Sequence, residues 1–131
     1  MRLVFGMGTK KHIIIADNDV DNLNFISSKL KNLGFECLYF SKGLLLLISA
    51  QSSPPDLIIL DYLLSDLSAM TVINILKNDY RTKDIPIILF VPESSLLGTS
   101  PQLQMGVDAI VRKPFIWDDL AEIIYKLLGV V

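Results

Sequence analysis

The sequence predicts a single α/β domain in which a parallel sheet carries helices on both sides, and three observations predict it. Short apolar runs without polar alternation recur along the chain, as strands covered on both faces require. Segments with apolar residues at helical spacing separate those runs. The length of 131 residues suits one domain, and neither an internal repeat nor a second domain is visible.

Residues 1–10 read as a loose, poorly structured leader, with the domain itself over 11–131. Leu3-Val4-Phe5 is too short for a signal-peptide core, and Lys10 and Lys11 follow it in the wrong order of charge. Ile13-Ile14-Ile15-Ala16 is the first strand, running into Asp17-Asn18-Asp19. Leu23, Ile26, Leu30 and Leu33 then mark a helix, with Asp19 and Asp21 at its acidic start and Gly34 at its stop. Glu36 to Phe40 is the second strand.

Ser41 is the expected cap of the next helix, centred on Leu44 to Ile48. Five apolar residues in succession give it a poor amphipathic pattern. Fuller burial than usual is the expectation, and an interface role is the alternative. Gln51 to Pro55 is a loop, and Asp56-Leu57-Ile58-Ile59-Leu60-Asp61 is the third strand, bounded by prolines and ending in acid. A loop from Tyr62 to Ser68 follows, and Met70, Ile73 and Leu76 lie on a helix running to about Asn78. Ile85 to Val91 is the fourth strand, with Pro86 tolerable near its start.

Pro92 to Gln104 is the least regular stretch. Gly98 and Pro101 interrupt any long helix, while Ser100-Pro101 can open a short one. Asp108 to Arg112 is the fifth strand, Lys113-Pro114-Phe115 turns the chain, and Leu120, Ile123, Ile124, Leu127 and Leu128 form the stripe of a last helix. Five strands thus alternate with five helices, an order that builds a parallel sheet through right-handed crossovers.

Composition excludes several classes. Apolar residues make up 51% and charged residues 20%, a globular balance. A net charge of −2 offers no electrostatic case for direct nucleic acid binding. No apolar run approaches the ~20 residues that span a membrane. Cys37 is the only cysteine, so no internal disulfide forms, which fits a reducing, cytoplasmic setting.

The chemistry gathers at strand ends. Asp17 and Asn18 end the first strand, Asp61 the third and Lys113 the fifth. Carboxyl ends of parallel strands share one sheet edge, where open α/β sheets bind ligands. If strands one and three are neighbours, two carboxylates face each other there, and one takes up a proton unless a cation intervenes. Oxygen ligands suit Mg²⁺, which uses only one or two carboxylates. Lys113 adds a point charge suited to a phosphoryl group, and an aspartate can become an acyl phosphate. The plainer reading is a structural ion pair between Lys113 and one aspartate. His12 lies ~16 Å from Asp17 along an extended strand, at the opposite edge, and reads as structural. Trp117, Tyr62 and Met70 read as packing residues.

Across about residues 11 to 129 the chain resembles the receiver domain of bacterial two-component response regulators. The resemblance implies a flavodoxin-like sheet in strand order 2-1-3-4-5. It implies Asp61 as phosphoacceptor, and Asp17, Asn18, Asp61 and the backbone carbonyl of Leu63 as Mg²⁺ ligands. It implies Lys113, in the lysine-proline motif Lys113-Pro114-Phe115, as the phosphoryl contact. A sensor histidine kinase or phosphotransfer protein is the implied donor, and the face of residues 92–128 the implied surface for a dimer or output partner.

Departures from the family pattern bear on mechanism. Val91 stands where the family carries a threonine or serine, so no hydroxyl is there to bond the phosphoryl oxygen. Ile110 replaces the aromatic switch residue. Asn18 replaces a metal-binding acid, which weakens Mg²⁺ binding by one charge, and Asp19 is a candidate to compensate. Ser65 and Ala69 replace the usual proline and glycine, and Pro92 stiffens a point that is otherwise small. The reading is a phosphoacceptor, not an enzyme, with impaired switch coupling. The alternative is a pseudo-receiver that acts as a phosphorylation-independent interaction module. A hydrolase of similar topology would need a second acid where Leu63 sits.

Overall fold

The structure is a computed structural model, and it describes residues 10–94 and 106–130. Its elements in chain order are β1 (His12–Ala16), α1 (Val20–Asn32), β2 (Glu36–Phe40), α2 (Gly43–Ser52) and β3 (Leu57–Asp61), followed by α3 (Ala69–Lys77), β4 (Ile87–Pro92), β5 (Ala109–Lys113) and α4 (Trp117–Leu128). The leader before Lys10 and the short helix expected at Ser100-Pro101 lie outside the described residues, so four of the five expected helices are described.

The five strands form one parallel sheet in the order β2-β1-β3-β4-β5. Burial on both faces explains the unbroken apolar runs. Side chains alternate across a strand. Ile14, Ile58, Leu60, Ile87, Leu89 and Val91 therefore meet α2 and α3 on one face. Ile13, Ile15, Ile59, Ile88 and Phe90 meet α1 and α4 on the other. Ile59 is fully buried in the central strand, and truncating it to alanine removes about 2–5 kcal/mol of stability.

Local signals place the helix ends. Asp19 caps α1 by accepting from the amides of Asp21 and Asn22, and Gly34 (φ 93°) takes the left-handed conformation after it. Ser68 caps α3 through the Thr71 amide. The start of α2 departs from expectation. Ser41 does not cap it, and the cap position is Lys42, whose side chain makes no capping bond. The Asp66 carboxylate does this work from the β3–α3 loop, accepting from Gly43 N at 2.9 Å and Leu44 N at 3.0 Å. A Cβ on Gly43 would stand 3.1 Å from Val72 and 3.2 Å from Leu64, so glycine permits the close seat of α2 on that loop.

The expected burial of the Leu44–Ile48 run is also corrected. Leu46 and Leu47 are buried, but Leu44, Leu45 and Ile48 lie about half exposed. One stripe of a helix reaches the sheet, and a run of five apolar residues necessarily turns part of itself to solvent.

Candidate functional site

Three strand ends build the site. Asp17 follows β1 directly, and its amide donates to Phe40 O at 3.1 Å, which extends the ladder and fixes the backbone. Its carboxylate is fully buried and accepts from Asp19 N at 2.9 Å and from Asn22 Nδ2 at 2.7 Å. Asp61 is the last residue of β3 and only 4% exposed. The next amide, Tyr62 N, donates to Phe90 O at 2.8 Å.

Lys113 reaches in from the end of β5. Its Nζ lies 3.0 Å from Asp17 Oδ1, 2.9 Å from Asp17 Oδ2 and 3.5 Å from Asp61 Oδ2. The same Nζ sits 5.6 Å from the centroid of the Phe90 ring, which is stacked on Phe115 at 5.2 Å. The peptide from Lys113 to Pro114 is cis. One ammonium therefore serves two carboxylates, and its contacts are shorter to Asp17.

That imbalance shows in the electrostatics. Burial raises the Asp61 carboxyl above its ordinary range, and the adjacent Asp17 raises it further. Lys113 and the Leu63 amide, 3.4 Å from Asp61 Oδ1, pull it down without cancelling the rise. The pair thus has room for more positive charge than one lysine supplies.

A cavity of about 380 Å³ opens over Asp61, lined by Asn18, Asp19, Asp61, Leu63, Pro92, Glu93 and Lys113. Asn18 and Leu63 thus share the pocket, while Asp17 lies behind it. Among the described residues no group of three or more histidine, cysteine, aspartate and glutamate side chains is placed to hold a metal. Asp61 with Asn18 and Leu63 beside it in the pocket, and Asp17 buried within reach of the same lysine, make an oxygen-bearing set with few charges of the kind that suits Mg²⁺. Asp19 is committed to α1, its Oδ1 accepting from Asp21 N at 3.0 Å and Asn22 N at 3.3 Å, so a compensating metal contact competes with capping.

The altered positions lie in the core. Val91 is fully buried in the cluster facing α2 and α3, and Ile110 packs against that cluster. His12 stands away from the pocket, where its amide donates to Asp56 Oδ2 at 2.8 Å at the entry to β3. Trp117 packs edge-on against Phe25 at 6.2 Å. Tyr62 and Met70 pack against the core.

Two participants escape a reading of the sequence. Asn22 braces Asp17 from the first turn of α1, and its signal is the backward tilt of side chains at a helix start. Glu93 lines the pocket mouth from a stretch that carries no periodic signal.

A five-stranded parallel sheet with paired acids and a lysine at its carboxyl edge defines the receiver modules of two-component signalling. The model of the family described as Response regulator receiver domain matches residues 13–125, and the chain belongs to that family. It is 31% identical over 105 residues to the phosphate regulon transcriptional regulatory protein PhoB of Pseudomonas aeruginosa, covering 80% of this chain and 46% of PhoB. It is 30% identical over 122 residues to the polar-differentiation response regulator DivK of Brucella ovis, covering 92% of this chain and 98% of DivK. The chain thus spans under half of one relative and nearly all of the other. Its fold is that of the receiver domain of sensor histidine kinase PA1611 from Pseudomonas aeruginosa, solved with a magnesium ion coordinated in the active-site cleft. The TM-score is 0.84 at 21% identity, over 92% of this chain and 99% of that one. Among the described residues no helix is long and apolar enough to cross a membrane.

Proposed function

We propose that Asp61 accepts a phosphoryl group from a sensor histidine kinase or phosphotransfer protein in a Mg²⁺-dependent reaction. The observation that carries this reading is the single Lys113 ammonium within 3.5 Å of both the Asp17 and the Asp61 carboxylate. An Asp61 oxygen attacks phosphorus, a P–O bond forms, and the bond from phosphorus to the donor nitrogen breaks. Asp17, Asn18, Asp61 and the Leu63 carbonyl would hold Mg²⁺, which when bound neutralises charge on the transferred group. Lys113 leaves its close contact with Asp17 and follows the new phosphoryl oxygens. Asn22 keeps the buried Asp17 oriented while the lysine moves. Val91 gives the phosphoryl group no hydroxyl, so uptake is separated from the usual loop movement.

A cytoplasmic setting belongs to this reading. Burial pushes the Cys37 thiol up to about 11, leaving an unreactive thiol that needs no disulfide partner. The face of residues 92–128 is the proposed output surface; residues 95–105 of it lie outside the described residues.

The test is incubation with Mg²⁺ and acetyl phosphate followed by intact-mass measurement. One added phosphoryl group that disappears in Asp61→Asn is the expected result. No gain at saturating donor would instead favour a pseudo-receiver that works as an interaction module.

A further inference from the structure

We propose that the outer face of α2 is a self-association surface, pairing antiparallel with α2 of a second copy of this chain. Leu44, Leu45 and Ile48 are 53%, 47% and 53% exposed and follow one another at spacings that share a helix side. Leu38, on the sheet face that α2 covers and on edge strand β2, is exposed at 45% and extends the apolar surface. Among the described helices α2 alone carries no charged side chain: α1 has Asp21, Lys29 and Lys31, α3 has Lys77, and α4 has Asp118, Asp119, Glu122 and Lys126.

The occupant follows from charge. A neutral face can meet its own image without opposing like charges, as a twofold interface requires. Antiparallel pairing is selected by the helix ends. The last turn of α2 holds no basic residue of its own, and Gln51 there donates to the Asp79 carboxylate at 3.2 Å, so that end of the helix offers negative partial charge and a nearby acid. Lys42 stands at the opposite end of the same helix. With the twofold between Leu45 and Ile48, each Lys42 comes beside Gln51 and the last turn of the other copy, where a cation is favourable. Parallel pairing would set the two lysines together. The Asp66 clamp holds the first turn in place, so the face is presented on a fixed scaffold.

A face from one ten-residue helix is smaller than the ~800 Å² per partner of a stable interface, so the dimer is weak. Its dissociation constant is expected on the order of 100 µM. Sedimentation equilibrium of the full chain from about 10 µM to about 1 mM tests this. The weight-average mass should rise with concentration from 14.6 kDa toward twice that value. Ile48→Glu should weaken association by about tenfold or more, and Lys42→Glu, which reverses a charge and removes little apolar surface, by about threefold. The thermal melt of Ile48→Glu should match the parent, since that side chain is about half exposed, and Lys42→Glu, which gives up one exposed hydrogen bond to Ser65 Oγ, should melt within a few degrees of it. A chain that stays monomeric throughout overturns the proposal. So does a dimer indifferent to both substitutions, which would use another face. Binding to neutral phosphatidylcholine vesicles in place of self-association would assign the face to lipid and also overturn it.

Discussion

The ends of β1 and β3 and the end of β4 lie along one rim, in one sheet, with the same backbone pairing. Their chemistry differs. At the ends of β1 and β3, two carboxylates and a bracing amide are drawn together, and the Lys113 ammonium reaches over to them from the end of β5. On the β4–β5 side, Val91 and Ile110 are absorbed into the hydrophobic core. Valine fills the volume of a threonine with no donor, so the sheet packs as well and only the polar contact is lost. Side by side, the two ends show that a charged cluster at one part of a sheet rim and apolar packing at another can vary independently on one scaffold.

The comparison breaks most visibly at Asp61. Asp61→Asn should abolish phosphoryl uptake, read by intact mass, while stabilising the resting domain. The sign follows from its raised carboxyl. Such a group favours folding fully below the unfolded value of about 3.9, and that contribution is lost as pH rises through the folded value. The variant's higher urea midpoint should therefore be plain at neutral pH and vanish near pH 3. An unchanged midpoint at both pH values would mean that Asp61 is not held in the like-charged surroundings described.

Next in size is Lys113→Gln, which leaves the buried Asp17 without its cation. The expected loss is about 3 kcal/mol by urea denaturation, and Mg²⁺ should raise the melting temperature of this variant more than that of the parent. Equal metal effects would show that lysine and metal do not compete for the same carboxylates.

Val91→Thr sharpens the contrast from the other side. A hydroxyl introduced into a fully buried apolar site should cost about 1–2 kcal/mol in the unphosphorylated domain. If acetyl phosphate with Mg²⁺ recovers that loss, the hydroxyl has found the phosphoryl oxygen; if not, the β4 end has diverged beyond one side chain.

The smallest effect is expected at Asp66. Although desolvation raises its carboxyl slightly, the Leu44 and Gly43 amides hold it below the usual range. Asp66→Ala should cost about 1 kcal/mol through the lost α2 cap. Stability from a depressed acid is present above the unfolded value and lost as pH falls through the folded one, so parent and variant should converge in strong acid. Helicity followed by circular dichroism during the urea melt checks both.

Much of this was legible in the sequence, for a physical reason. Strands covered on both faces read as unbroken apolar runs, and Ile13–Ala16 and Leu57–Asp61 stand where those runs predict. Acids at their ends interrupt the pattern sharply, so Asp17 and Asp61 announce themselves. The misses share a cause as well. Asp66 meets the start of α2 from 22 and 23 residues away, and nothing local to Ser41 or Lys42 foretells it. The Leu44–Ile48 run has no period, so hydrophobicity points to fuller burial than usual where geometry allows only one side to pack. Asn22 hides because its partner is defined by helix direction and not by spacing alone.

The tie between the segment after Asp61 and the start of α2 has a mechanical consequence. Lys42 Nζ donates to Ser65 Oγ at 2.9 Å, beside the two amides that Asp66 receives. Displacing Ser65 and Asp66 must either drag the opening turn of α2 along or strand two amides without acceptors. Strain introduced beside Asp61 would thus be transmitted through this hinge to the leucines outside, by a route that bypasses valine and isoleucine on the far strands altogether.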